Sequence, residues 1–173
     1  MKESRIMEIL INSGGIELLP QIKHLWEELR SYHAGIAGEF SSVFLKASWD
    51  SRRSEFEQKA ANGKLKVDVA YIEGEAIGYG VSSISDKGIG ELDSLCVNEQ
   101  HRGRGIGQEL LRRAIDWMDT EGAAAITLNV VQGNDRALTL YHKFGFRPLK
   151  HTLMIPPTSA SKGTVPFDAR NTK

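Results

Sequence analysis

The stretch Arg102-Gly103-Arg104-Gly105-Ile106-Gly107 separates an apolar strand pattern from an amphipathic helix pattern. Its alternate glycines let successive backbone N–H groups converge on one point, and the unpaired amides of the following helix face the same way. The stretch therefore predicts a phosphate-sized anion site, although glycine alternation alone fits an ordinary strand-to-helix connection equally well. Its spacing differs from the dinucleotide fingerprint, and no Gly-Lys-Ser/Thr follows, which disfavours NAD and ATP.

Composition places limits on the class of protein. The chain has 173 residues, of which 40% are hydrophobic and 25% charged, and its 22 basic residues balance 22 acidic ones. No overall field therefore attracts nucleic acid or an anionic membrane. The single cysteine cannot form an internal disulfide, and no Cys/His spacing suggests zinc, so we expect no metal site and a reducing cytoplasm.

The same reading predicts one domain over residues 1–155 and a flexible tail over 156–173, whose polar and proline-rich composition is typical of solvated chain or an added extension. The apolar run at 6–11 is too short for a membrane span or an export signal.

Hydrophobic periodicity predicts the elements of the first half. We expect a strand at 6–11, a turn at 12–15, a helix from 16 to about 32 and a second helix over 43–61. The stretch 31–40 lacks a clear period and is interpreted as a binding loop or as a plain helix connector. As a binding loop it would supply Tyr32, His33 and Glu39.

The second half predicts a sheet followed by two helices. Alternating runs at 65–71, 77–83 and 89–97 indicate an antiparallel meander, and 106–118 is an amphipathic helix ended by Gly122. The β-branched run 125–131 should lie parallel to the strand that ends at Val97. A further helix from Asn134 should end at Gly145, with a last strand over 146–155.

Three local patterns carry a resemblance to a known family. They are the segments 91–97, 102–107 and 134–146. Together they resemble the GNAT superfamily of acetyl-coenzyme A-dependent N-acyltransferases, over residues 64–150. The resemblance implies an α/β (α+β) fold, with a mixed, mostly antiparallel sheet flanked by helices. That sheet is splayed between the strand ending at Val97 and the strand near Asn129.

The resemblance also implies a donor site for acetyl-coenzyme A. The backbone amides of Arg102–Gly107 would bind the pyrophosphate. The side chains of Arg102 and Arg104 either add charge there or form a solvated basic rim. The pantetheine arm would lie in the splayed gap, where the candidate contacts are Leu95, Cys96, Val97, Ile106, Asn129, Asn134, Ala137 and Tyr141.

The catalytic candidates follow from the same resemblance. Tyr141 would protonate the departing thiolate, whereas a buried structural tyrosine is the alternative. Glu91 and Asp93 are candidate bases on one strand face, predicted to lie beside Leu95 and Val97; a water chain is the alternative. Cys96 should face the other way as a small core side chain, so an acyl-cysteine is not expected. His33 is a weaker base candidate.

The sequence thus predicts an N-acetyltransferase in which a primary amine attacks acetyl-coenzyme A directly in a ternary complex. Acidic side chains favour a small cationic acceptor, while a peptide or protein amine stays open. A non-catalytic acyl-coenzyme A-binding module is the alternative from another class. We expect no nucleic-acid or membrane partner, and a homodimer is left open.

Overall fold

A five-stranded sheet forms the centre of the computed structural model, which describes residues 8–157. Its strands lie in sequence order, and only the last pair is parallel. The strands are β1 (Leu10–Gly14), β2 (Gly63–Ile72), β3 (Glu75–Ser85), β4 (Ile89–Val97) and β5 (Ala125–Leu128). The predicted mixed, mostly antiparallel sheet is therefore confirmed.

Helices cover both faces of this sheet. They are α1 (Leu19–Ile36), α2 (Ser41–Leu45), α3 (Trp49–Asn62), α4 (Ile106–Thr120) and α5 (Asp135–Lys143). α1 and α3 bury Leu25 and Phe56 against the face that carries Tyr79, while α4 buries Leu110 and Leu111 on the other face. The apolar stripe predicted for the helix after the glycine stretch is the face that α4 buries.

The β2–β3 hairpin forms as its pattern predicts. Glu73 and Gly74 connect the strands with positive φ angles of 50° and 84°. Such a pair of left-handed residues matches the right-handed twist of the flanking strands, and glycine adopts this conformation without a Cβ clash.

The first strand differs from its prediction. β1 includes Asn12 and Gly14, which were assigned to a turn, because the segment pairs with β2 from Leu10 opposite Tyr71 to Gly14 opposite Val67. Residues 1–7, where the predicted strand began, lie outside the described part.

The predicted loop at 31–40 is wrong over most of its length. α1 continues through Gly35 to Ile36, because its buried face extends as far as Ala34. Tyr32 and His33 are therefore helical. The helix predicted over 43–61 is divided, since the Ser48 hydroxyl accepts the Ser51 N–H at 3.2 Å and begins a separate helix, α3.

The sheet separates where β5 ends. β4 and β5 pair from Ile89 opposite Ala125 to Leu92 opposite Leu128, and β4 then continues to Val97 paired with β3 but no longer with β5. The predicted strand 125–131 is thus shorter, which confirms the splay near Asn129.

The segment that follows α5 is not a strand up to residue 157, so the strand predicted at 146–155 is wrong in this structure. Its apolar side chains Leu149, Leu153 and Ile155 are exposed and gain no packing from a neighbouring strand. Residues 158–173 of the predicted tail lie outside the described range. Among the helices of residues 8–157, none has the length and apolar character needed to cross a membrane.

Candidate active site

Two cavities meet at the point where the sheet separates. The larger, about 460 Å³, lies between β4, the N-terminus of α4 and α5. The smaller, about 90 Å³, lies between β4, the segment after β5 and α1. Both are lined by Leu29, Leu95, Asn134, Ala137 and Tyr141.

The glycine stretch forms one wall of the larger cavity. Gly103 and Gly105 have φ angles of 79° and 81°, which side chains rarely adopt. Gly105 is the N-cap of α4. Gly107 already lies in the helix, and a Cβ there would sit 3.7 Å from Val97 Cγ2. The first-turn amides of α4 therefore border the cleft without obstruction, which suits an anion.

Arg102 and Arg104 occupy different surroundings. Arg102 Nε donates to the Val97 carbonyl at 2.9 Å, and its guanidinium lies 5.5 Å from the centre of the Tyr32 ring. Arg104 is exposed and lines neither cavity. Arg102 is thus held in the cleft wall by these two contacts, while Arg104 belongs to the solvent-exposed rim.

Asn134 connects the cleft to α5. Its Oδ1 accepts the Ala137 N–H at 3.2 Å as the N-cap of the helix, and the Tyr32 hydroxyl lies 3.4 Å from the same oxygen. The side-chain amide N–H groups of Asn134 take no part in either contact and suit a carbonyl of an extended ligand.

Tyr141 is the one aromatic residue that lines both cavities in the part of the chain that the structure describes. Only 9% of Tyr141 is exposed, and its ring packs edge-on against Phe146 with centroids 6.0 Å apart. Burial raises the pKa of Tyr141 to about 12. The hydroxyl is therefore protonated at neutral pH.

A β-bulge in β4 interrupts the regular side-chain alternation. Val81 lies opposite Ser94 while Ser82 lies opposite Leu92, so Asp93 is an extra residue on β4. Side chains on the two sides of a bulge no longer follow the parity of a regular strand.

The bulge corrects the predicted strand faces. Glu91 and Asp93 do share a face, because both bond the same lysine of α3. Leu95 and Val97, however, pack on the α4 side. Cys96 lies on the α1 and α3 side, which is the face of Glu91 rather than the opposite one. The predictions that placed Leu95 and Val97 beside the carboxylates and turned Cys96 away from them are therefore wrong.

Cys96 is nevertheless a buried core side chain, as predicted. Its thiol donates to the Leu25 carbonyl at 3.5 Å, and burial raises its pKa to about 12. A thiol protonated at neutral pH is a poor nucleophile.

Lys59 of α3 pairs with both candidate bases. Its Nζ donates to Glu91 Oε2 at 2.6 Å and to the Asp93 carboxylate. Asn129 Nδ2 donates to the other Glu91 oxygen at 3.2 Å. The Glu91 side chain is 32% exposed, whereas that of Asp93 is 1% exposed. Burial raises the pKa of Asp93, and the bond from Lys59 acts in the opposite direction.

The three residues expected in a binding loop lie in different places. Tyr32 lines the larger cavity and His33 the smaller one. His33 packs against Phe44 at 5.7 Å between ring centroids, and burial lowers its pKa. Glu39 lies in the short helical turn Gly38–Phe40, is exposed and lines neither cavity.

Sequence reasoning missed several residues of the site. Arg136 and Lys143 line the larger cavity from α5 and lie seven residues apart, so helical spacing places them on one face. That spacing was a readable signal. Arg52 and Lys59 on α3 also lie seven residues apart, but their spacing does not reveal that they contact β4, because those contacts depend on the tertiary packing of a distant helix.

The residues present fit coenzyme A. The unpaired amides at the start of α4 and the cations of two elements suit its phosphates. The edge of β4 that β5 leaves unpaired suits its amide-bearing arm. A splayed sheet with such a cleft can hold an extended ligand against one strand.

Comparison with known proteins identifies the family. The model of the acetyltransferase (GNAT) family matches residues 23–146, so the chain belongs to the GNAT family. The uncharacterised N-acetyltransferase YobR of Bacillus subtilis is 39% identical over 70 residues, which cover 40% of this chain and 28% of that protein. The N-alpha-acetyltransferase MAK3 of Arabidopsis thaliana is 36% identical over 81 residues, which cover 45% and 43% of the two chains.

These matches span less than half the length of either curated relative. A solved structure is similar over much more of its length. It is the PaiA N-acetyltransferase of Thermoplasma acidophilum in complex with coenzyme A, with a TM-score of 0.65, 25% identity, and coverage of 82% of this chain and 91% of that one.

Proposed function

We propose that the chain is an N-acetyltransferase that moves an acetyl group from acetyl-coenzyme A to a primary amine, by direct attack in a ternary complex. The observation that carries this proposal is the position of Tyr141, which lines both the larger and the smaller cavity. A proton donor at such a junction can serve a thioester that enters from one side and an amine that enters from the other.

The larger cavity is the proposed donor site. The α4 amides and the cations Arg102, Arg136 and Lys143 would hold the phosphates. The edge of β4 that β5 leaves unpaired would bond the pantetheine arm, together with the Asn134 side-chain amide. A backbone N–H near Val97 would stabilise the negative charge that develops on the thioester oxygen.

Glu91 is the proposed base. It is more exposed than Asp93, whose carboxylate is almost completely buried. A water between Glu91 and the acceptor can relay the proton, because both Glu91 oxygens already accept bonds from Lys59 and Asn129. Tyr141 then protonates the thiolate as it leaves. Cys96 takes no covalent part, since its thiol is buried and protonated.

The acceptor is proposed to be a small cationic amine. Asp93 lines the smaller cavity, and Glu91 lies two residues earlier on β4; the two carboxylates share the single cation Lys59, which favours a cationic acceptor. A peptide amine is the alternative, and the N-alpha-acetyltransferase name of the Arabidopsis relative supports it. The reduced, buried Cys96 supports a cytoplasmic location.

The test is free-thiol release from acetyl-coenzyme A with a panel of monoamines, diamines and peptides with free N-termini, and mass spectrometry of the products. We expect acetylated amine and thiol in equal amounts, and an about 10-fold or greater loss of kcat in Glu91→Gln. Calorimetric binding of coenzyme A with no turnover for any amine would favour the non-catalytic module. Turnover with peptides alone would select the peptide acceptor.

A further inference from the structure

Two cations on α3 hold one residue of β4 from the same side. Arg52 Nη2 donates to the carbonyl oxygen of Asp93 at 2.7 Å, and Lys59 Nζ donates to its carboxylate. Arg52 and Lys59 lie seven residues apart, and this spacing places both side chains on one face of the helix. Backbone and side chain of Asp93 are thus fixed from a single rigid element.

Arg52 is itself held in place. Its guanidinium carbon lies 4.3 Å from the centre of the Phe56 ring, and Phe56 is fully buried. Arg52 Nη1 also bonds Glu55 at 2.7 Å. A guanidinium stacked on a core aromatic ring loses much of its freedom, so its bond to Asp93 is directional.

Asp93 is the extra residue of the β4 bulge, and it follows directly after Leu92, where pairing with β5 ends. Asp93 and Leu95 line the smaller cavity, and Leu95 also lines the larger one. The bulge therefore decides how the strand edge beyond it is turned toward the cleft. The extra residue of a bulge lacks a ladder partner, so contacts from outside the sheet can fix its orientation.

We propose that Arg52 and Lys59 are positioning residues for acyl transfer, which fix the Asp93 bulge and thereby the direction of the backbone groups of β4 from Leu95 to Val97. The inference rests on the proposed function. Misdirected N–H groups would still allow the donor to bind through its phosphates, but they would no longer meet the developing oxyanion. The cost therefore falls on kcat rather than on KM.

The first experiment compares Arg52→Gln and Lys59→Met with Arg53→Gln in the full chain. Arg53 is a matched control on the same helix; its side chain is 48% exposed, and within residues 8–157 it pairs with Glu57 alone, at 2.8 Å. Arg52 and Lys59 are called the clamp below. We expect both clamp variants, Arg52→Gln and Lys59→Met, to lose about 10- to 100-fold in kcat, with KM for acetyl-coenzyme A within about 3-fold of wild type. Arg53→Gln should match wild type. Wild-type kcat in both clamp variants would overturn the inference.

The second experiment separates positioning from general stability. Asp93→Asn still offers an oxygen to Lys59 and should keep the bulge, while the loss of its charge should raise KM for a cationic acceptor. Lys59→Arg should keep kcat within about 5-fold. Lys59→Met with Asp93→Asn leaves no unpaired buried charge and should regain thermal stability, yet its kcat should stay low. If this double variant recovers kcat together with stability, Lys59 serves only to stabilise the fold. Loss of kcat in Asp93→Asn alone, with normal donor affinity, would make Asp93 a base and contradict the inference.

Amide hydrogen exchange over residues 89–97 tests the clamp independently of turnover. We expect exchange at least about 10-fold faster than in wild type for Arg52→Gln and Lys59→Met, and unchanged exchange for Arg53→Gln. If wild type acetylates no amine, the proposed function fails while this readout still supports or refutes the clamp. Equal exchange in all variants would refute it.

Discussion

The hydroxyl of Tyr32 on α1 lies 3.4 Å from Oδ1 of Asn134 at the start of α5. This contact joins two helices from opposite ends of the chain across the larger cavity. The Tyr32 ring also lies beneath Arg102, whose side chain bonds the end of β4. One aromatic residue thereby links α1, α5 and the glycine stretch.

The first prediction concerns the Tyr32 ring. Tyr32→Phe keeps the surface under Arg102, so the Kd for coenzyme A should change by less than about 2-fold, whereas Tyr32→Ala loses the cation–π contact and should weaken binding about 5-fold. Calorimetry measures both values. Equal affinity of wild type and Tyr32→Ala would contradict a role for the ring.

Asn134 has two separable roles. Asn134→Asp keeps the oxygen that caps α5, so the free energy of unfolding should stay near wild type, but coenzyme A affinity should fall because the amide donor is lost. Asn134→Ala should lower the free energy of unfolding by about 1 kcal/mol as well. Denaturant unfolding and calorimetry distinguish the two. Unchanged affinity in Asn134→Asp would assign Asn134 to capping alone.

The glycine stretch makes a prediction about conformation. Gly105→Ala forces a side chain into the left-handed region at φ 81°, which should lower the free energy of unfolding by about 1–2 kcal/mol. Gly107→Ala should cost no stability because Gly107 is helical and its Cβ finds 3.7 Å of clearance. Thermal unfolding of both variants measures the difference, and equal losses would contradict it.

Burial of His33 predicts a dependence of stability on pH. Burial lowers the pKa of His33 below the ordinary histidine value of about 6.5, so the unfolded chain takes up this proton first as the pH falls. Stability is therefore lost below about pH 6.5, and His33→Gln should reduce that loss. Urea unfolding at neutral and mildly acidic pH measures it, with exposed His142→Gln as control. Equal acid sensitivity of wild type and His33→Gln would exclude His33 as the cause.

The sequence contained enough information for the centre of the fold. Alternation and turn residues predicted the β2–β3–β4 meander, because each strand follows the previous one after a short turn and Gly74 permits the tight turn between β2 and β3. The apolar stripe of α4 and the parallel direction of β5 followed from periodicity and connection rules.

Features that depend on tertiary context were predicted less well. The bulge at Asp93 has no compositional signature, yet it moves Leu95, Val97 and Cys96 to faces opposite to those that regular alternation gives. The glycines near Gly35 predict a loop, but α1 continues through Gly35 to Ile36 because the packing of its buried face favours the helix. Lys59 reaches the site from α3, 32 residues before Glu91, and local patterns cannot reveal such a pair.

Tyr141→Phe tests the central claim most directly. Its hydroxyl is the proposed proton donor for the leaving thiolate, and burial raises the pKa of Tyr141 to about 12. Thiol release in this variant should show kcat lowered about 100-fold and KM for acetyl-coenzyme A within about 3-fold of wild type. Tyr71→Phe, which removes a hydroxyl on β2 that bonds Gln21, is the control and should leave both constants unchanged. Wild-type kcat in Tyr141→Phe would contradict the proposed mechanism.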